Sequence, residues 1–304
     1  MKPMKLSVKI GNSEFPNPVT VACGTFGHSE ELYRSKEVKC LGALVPKTVT
    51  LKAQQGNLPP RICETPAGMI NAIGIENAGI DAFIADKLPG LKRVGVPVIV
   101  SISAHNEDDF ALMAEKLNAA GGLAAVELNL SCPNLKKKAL VAQDAEATAA
   151  VVKRVKSVVN YPLIAKLSPN VTDIAAIAQA AEAAGADAVS LVNTFAAMAI
   201  DVRTRRSRIG NFTGGLSGPA IRPIALRMVC ETAARVRIPV IGMGGIACAN
   251  DALEFLIAGA TMVAVGTFNF VNPRAPLEVL EGITAYMKKN RMSDIKELIG
   301  SIQR

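Results

Sequence analysis

The residues best equipped for chemistry lie in the run Val126-Glu127-Leu128-Asn129-Leu130-Ser131-Cys132-Pro133-Asn134, where one thiol is flanked by amides and a hydroxyl. The apolar part of the run reads as a short strand, and Pro133 stops it by removing a ladder donor. Cys132 is therefore expected on the first turn of a loop, where reacting groups concentrate. A lone cysteine can also be a small buried hydrophobe, but that explains neither the asparagines nor the proline around it. A thiol near its ordinary pKa is a few per cent thiolate at neutral pH and a competent base or nucleophile.

Four further groups carry chemical potential. Lys47 and Lys166 close apolar runs, where an ammonium could steady an electron-rich ring or an anionic substrate rather than simply reach solvent. Asn71-Ala72-Ile73-Gly74-Ile75 is a small amide-bearing loop. With Asn129, Asn134 and Asn193 it supplies paired donors and acceptors suited to a cyclic imide and its carboxylate. Gly244-Gly245 and Gly266-Thr267 follow two late apolar runs and would let backbone N–H groups approach phosphate oxygens.

These residues share a frame. Short apolar runs at 19–22, 43–47, 96–101, 125–130, 163–166, 188–191, 240–242 and 262–265 alternate with helical stretches at 107–118, 146–159, 173–184, 219–236 and 250–258. Near-continuous apolarity suits parallel strands covered by helices. Eight such strands imply a (β/α)8 TIM barrel, an α/β fold in which long βα loops cover the C-terminal face. The open doubly wound sheet is the rival, but no GxGxxG follows the first strand. The connections 48–94 and 191–238 are unusually long and are expected to build the site. Nothing linker-like divides the chain, so residues 1–304 read as a single domain.

Composition narrows the class. The 304 residues are 50% hydrophobic and 20% charged, as in a globular chain with a large core. No apolar run is long enough to span a membrane, and the first residues lack a secretion signal, so a cytoplasmic location is expected. The six cysteines show no CxxC pair and the two histidines are far apart, which argues against a metal site. The net charge of +8 favours anionic ligands, and nucleic acid has to be considered. The basic segments 136–138 and 203–208 interleave no aromatics and match no nucleic-acid module, so they read as solvated loops.

The ordered set Asn71-Ala72-Ile73-Gly74, Asn129-Leu130-Ser131-Cys132-Pro133-Asn134, Val192-Asn193-Thr194, Gly214-Gly215-Leu216-Ser217-Gly218-Pro219 and Gly242-Met243-Gly244-Gly245-Ile246 resembles the class 1 dihydroorotate dehydrogenases, most nearly the 1B catalytic subunit. The resemblance spans nearly the whole chain. It implies one FMN per chain in the barrel mouth and oxidation of dihydroorotate to orotate in pyrimidine biosynthesis. By position, Cys132 resembles the base that removes the C5 proton, with hydride leaving C6 for the flavin. The substrate cradle would comprise Lys47, Asn71, Ala72, Ile73, Gly74, Ile75, Asn129, Asn193 and Thr194. Flavin contacts would come from Cys23, Lys47, Thr48, Ser101, Asn129, Lys166, Val192, Gly218, Gly244, Gly245, Gly266 and Thr267. Ser101 stands where relatives commonly carry Asn, and Cys23 where Ser or Ala is common.

The resemblance also implies a partner. This chain has neither a dinucleotide fingerprint nor clustered cysteines, so an NAD-linked reaction would need a second subunit carrying FAD and a [2Fe-2S] cluster. A homodimer of this chain within a heterotetramer is the expected assembly. A 1A-like enzyme would instead use fumarate without a partner. Two other flavin barrels are rivals. Dihydropyrimidine dehydrogenase shares the Asn and Cys pattern, whereas tRNA dihydrouridine synthase normally has Gly where Ser131 stands. Flavin-free phosphate-binding isomerase or lyase barrels would need no Cys132 loop, and a non-catalytic ligand-binding barrel is the remaining alternative.

Overall fold

The computed structural model describes residues 4–26, 36–131, 133–134 and 139–303. Eight parallel strands form its centre: β1 (Val19–Val21), β2 (Val49–Thr50), β3 (Ile99–Ser103), β4 (Ala125–Asn129), β5 (Leu163–Lys166), β6 (Ala188–Leu191), β7 (Val240–Met243) and β8 (Met262–Val265). Ladder pairing runs β1-β8-β7-β6-β5-β4-β3-β2, so each strand beyond the first two lies beside its neighbour in sequence. The segment before β2 closes the ring. Gly42 N–H donates to the Val19 carbonyl at 2.8 Å, Thr20 Oγ1 donates to Ala43 O at 2.9 Å, and Leu44 bridges to Val98 on the other side. The expected barrel is thus the observed one.

Two strands differ from the sequence reading by more than one residue. Pro46 has no N–H to give, so the second strand is interrupted after Leu44 and resumes only at Val49. The third strand runs on to Ser103, which places Ser101 inside the ladder rather than at its end.

The helices form where caps and apolar spacing agree. Asp144 caps Ala145–Lys156 by accepting the Ala147 N–H at 2.9 Å. Thr148, Val151, Val152 and Val155 then fall on one buried face, while Lys153, Arg154 and Lys156 occupy the last turn against the negative dipole end. Burying a valine fully stabilises by roughly 1.5–3 kcal/mol, so this stripe does more for the helix than its cap. Asn106 and Asp173 cap Glu107–Ala120 and Ile174–Ala183 in the same way. The helix expected at 250–258 is Ala249–Ile257, and Asp251 Oδ2 takes the Ala247 and Cys248 N–H groups at its start. The stretch 219–236 divides into a 3-10 turn, Pro219–Ile221, and the helix Arg222–Ala233. Among the described residues no helix is long and apolar enough to cross a membrane.

One face of the barrel is sealed and the other is built up. The hairpin Val8–Ile10/Ser13–Phe15 buries Val8, Ile10 and Phe15, and Ser13 Oγ donates to Ala124 O just before β4. At the opposite end the two long connections meet. Their strands form a four-stranded antiparallel sheet in the order Phe195–Ala197, Gly214–Ser217, Gly68–Asn71, Ile62–Thr65. Asn71 pairs with Gly215 across the join, and its Nδ2 also donates to Gly215 O at 3.3 Å.

Candidate active site

A cavity of about 910 Å³ opens between the C-terminal strand ends and this added sheet. That is the upper range for a small-molecule site, enough for a mononucleotide and a second small ring. Of the expected substrate cradle, Lys47, Asn71, Ile73, Gly74, Ile75, Asn129, Asn193 and Thr194 line it. Ala72 does not. Its side chain packs on the minor apolar cluster of Cys63, Ile70 and Ile209. This is the period-two alternation of an extended segment, which turns alternate side chains from the cavity. Of the expected flavin contacts, Cys23, Thr48, Lys166, Val192, Gly218, Gly244, Gly245, Gly266 and Thr267 also line the cavity, together with Lys47 and Asn129. Ser101 lies below its floor, fully buried and 3.1 Å from Thr48 Oγ1. Cys132, together with Lys136, Lys137 and Lys138, lies outside the described residues.

A polar network crosses the floor. Lys166 Nζ donates to Cys23 Sγ at 3.3 Å, and Thr48 Oγ1 donates to the same sulfur at 3.2 Å. Glu127 Oε1 lies 3.9 Å from Lys166 Nζ, with both side chains only 5% exposed. Burial opposes the Lys166 charge, but Cys23 and Glu127 outweigh it and hold the ammonium above the ordinary lysine value of 10.5. Lys47 goes the other way. Burial chiefly, and then the Lys166 charge, keep it below 10.5 against the pull of Cys23 and Glu76.

A second network carries the amides. Asn193 Nδ2 donates to Ser131 Oγ at 2.7 Å and lies 3.4 Å from Asn129 Oδ1. Asn193 Oδ1 accepts the Thr194 N–H at 2.8 Å. Asn170 braces the same segment, donating to Thr194 O at 3.0 Å and accepting the Ala196 N–H at 2.9 Å. The residue just before Cys132 is thus tied to the amide cluster. This arrangement can hold a flat polar ring by its edge while cations take up negative charge.

The glycine loops have a reason beyond ligand access. Gly244 and Gly245 sit at φ +127° and +76°, and a Cβ on Gly245 would lie 2.8 Å from Gly218 O and 3.0 Å from Arg222 N. Gly245 is needed for the β7 loop to pack on the Gly218 turn, so a bulkier residue there would disturb the protein before any ligand. Thr267 Oγ1 donates to Ser217 Oγ at 2.8 Å and joins the β8 loop to the same turn. The three loops form one cup.

Several residues of the site escaped the sequence reading. Glu127 is the clearest, and its signal was a charge inside an apolar strand two residues before Asn129, hence on the same face. Asn170 was missed too, and it lines and braces the cavity beside Ser131, Ser168 and Ser217. A Pro-Asn pair follows both β4 and β5, at Pro133-Asn134 and Pro169-Asn170, and the repetition could have pointed to Asn170. The basic run at 203–208 lies on an exposed hairpin, where Asp201 accepts the Arg203 and Thr204 N–H groups, and none of it lines the cavity.

The family profile described as dihydroorotate dehydrogenase matches residues 5–287. This chain belongs to the dihydroorotate dehydrogenase family. Its similarity to named relatives is end to end. The catalytic subunit of dihydroorotate dehydrogenase B (NAD(+)) from Trichlorobacter lovleyi is 49% identical over 304 residues, covering 100% of both chains. The protein of that name from Thermodesulfovibrio yellowstonii is 50% identical over 299 residues, 98% of this chain and 99% of its own. The one from Desulforudis audaxviator is 51% identical over 302 residues, 99% of this chain and 98% of its own. The chain is accordingly a dihydroorotate dehydrogenase, of a family that works with a flavin.

Proposed function

We propose that residues 1–304 act as one FMN-binding domain, the dihydroorotate-oxidising subunit of an NAD-linked enzyme of pyrimidine biosynthesis in the cytoplasm. The observation that carries this reading is the convergence of Asn71, Asn129, Asn193, Lys47 and Lys166 on one cavity floored by glycine loops. The residues fit FMN. The cup of Gly218, Gly244, Gly245, Gly266 and Thr267 offers backbone N–H groups to a phosphate, and Lys166 offers a buried cation to an electron-rich ring. Bound, FMN supplies a two-electron acceptor. The amides of Asn71, Asn129 and Asn193 hold the dihydroorotate ring, Lys47 takes its carboxylate, and the Cys132 thiolate removes the C5 proton. The added sheet excludes water from the reacting edge.

The relatives' names support a partner, since each is called a catalytic subunit and each name includes NAD(+). We assign FAD and the [2Fe-2S] cluster to that second subunit, with a homodimer of this chain at the core of the heterotetramer. The purified chain is expected to be yellow, to hold one FMN, and to pass electrons from dihydroorotate to a dye. Reduction of NAD should require the partner. A colourless chain that binds orotate would remove the flavin reading, and rapid fumarate reduction by the chain alone would remove the NAD assignment.

Lys47 gives a pH signature. A protonated Lys47 attracts the substrate carboxylate, and its depressed pKa means the charge is lost before pH 10.5 is reached. Orotate affinity should therefore fall as pH rises toward 10.5, starting earlier than for an ordinary lysine. Flavin spectral titrations in Cys132→Ala isolate this effect from thiolate formation, and the slope should vanish when Lys47→Met is added. A slope that survives Lys47→Met would reassign the carboxylate's partner.

A further inference from the structure

The barrel carries a buried carboxylate that the reaction above does not use. Glu127 projects from β4 into the interior, where Ser190 Oγ of β6 donates to its Oε2 at 2.9 Å. The bond passes over β5, the strand between them in the ring, so both side chains point to the barrel axis. Glu127 Oε1 has no hydrogen-bond partner among the described residues and faces Lys166 Nζ at 3.9 Å. Lys166 borders the cavity and Glu127 does not. The carboxylate therefore reaches a ligand only through Lys166.

Stability does not account for such a pair. Two buried ions lose more hydration than a loose contact returns, and well-packed apolar residues are often as stable or more so. An oxygen without a donor makes the cost larger. What the pair does provide is a fixed, nearly neutral charge distribution under the cavity, at low dielectric, where a single charge acts strongly.

We propose that Glu127 is a positioning residue of the redox site, which holds the Lys166 ammonium in place and offsets its charge, thereby limiting how far Lys166 favours the reduced, electron-rich form of the bound ring. This rests on the flavin reading above. Without Glu127 the Lys166 ammonium is still held by Cys23 Sγ at 3.3 Å. The ring then meets a cation less offset, and its reduction potential rises.

The test is the potential of the bound flavin, read against a reference dye in the whole chain with FMN. In Glu127→Gln the ratio of reduced to oxidised flavin at a fixed dye ratio should rise about tenfold, which is about 30 mV for a two-electron couple. FMN content should stay at the wild-type level. Glu127→Asp, which retains the charge, should return most of the way to wild type. Ser190→Ala removes one hydroxyl and keeps the test decisive if Glu127→Gln does not fold. Loss of that donor frees the carboxylate from its fixed place beside Lys166, so the ratio should rise in the same direction, by about threefold. An unchanged or lowered potential in the folded variants overturns the proposal. A wild-type chain without flavin would be seen before any variant is made, and would count against the flavin reading itself.

Discussion

Cys132→Ala is expected to slow reduction of the bound flavin by dihydroorotate by about 10²–10⁴-fold, the range a positioned acid–base group contributes. Flavin content and orotate binding should be unchanged, because the glycine cup and the amide cluster do not include the thiol. The geometry next to Cys132 supports this. Ser131, which precedes Cys132 in the sequence, is held by Asn193 at 2.7 Å beside the amides that would hold the substrate ring. Only a few per cent of an ordinary thiol is thiolate at neutral pH, so the wild-type rate should climb with pH toward the thiol range near 8.5. Stopped-flow reduction across pH checks both. A wild-type rate in Cys132→Ala would sink the assignment, and a flat pH profile would mean that the thiolate is not formed in the rate-limiting step.

Lys166→Met should carry the largest cost in stability. It leaves Glu127 buried without its counter-charge, and breaking a buried ion pair from one side typically costs about 3–5 kcal/mol. Both side chains are only 5% exposed, so solvent offers little relief. The sign with pH follows from the direction of the Lys166 shift. Because its folded pKa is raised above 10.5, the stabilisation is complete below about pH 10.5 and is lost as pH climbs through the raised value. At neutral pH the full deficit should appear. Urea unfolding with and without added FMN measures it, since ligand binding alone can shift apparent stability. Adding Glu127→Gln to Lys166→Met should recover most of the loss, because the uncompensated charge goes with it. A double variant as unstable as Lys166→Met would mean that the lysine's packing, not its charge, is what matters.

The barrel was legible in the sequence because its determinants are local. Runs such as 163–166 and 188–191 became β5 and β6 with those bounds, since near-continuous apolarity has few other solutions in a chain with helices between. Strand ends could be read as site positions for the same reason. Lys47, Asn129, Lys166 and Asn193 lie in four different stretches, yet parallel strands bring their ends to one face. The misreadings were local too. Pro46 interrupts a ladder that hydropathy alone would continue, and β3 runs on past Ser101 and draws it under the floor. The phase of an apolar run says where a strand is more reliably than where it stops.

Only the tertiary structure decided what covers the barrel and what lies beneath its mouth. The pairing of Gly68–Asn71 with Gly214–Ser217 joins segments more than a hundred residues apart. Backbone hydrogen bonds carry no residue code that would announce such a partner. Ala72 shows the same limit, for its neighbours Asn71 and Ile73 face the cavity while it faces the Cys63 cluster. Glu127 shows it most clearly. A charge in an apolar strand marks an oddity in sequence, but its meaning depends on Lys166 of the neighbouring strand and Ser190 of the strand beyond it, which meet it inside the barrel. Spacing along the chain fixed which face each side chain occupies. Closure of the ring fixed what it meets there, because a contact across the interior is set by the geometry of all eight strands and by no single one of them.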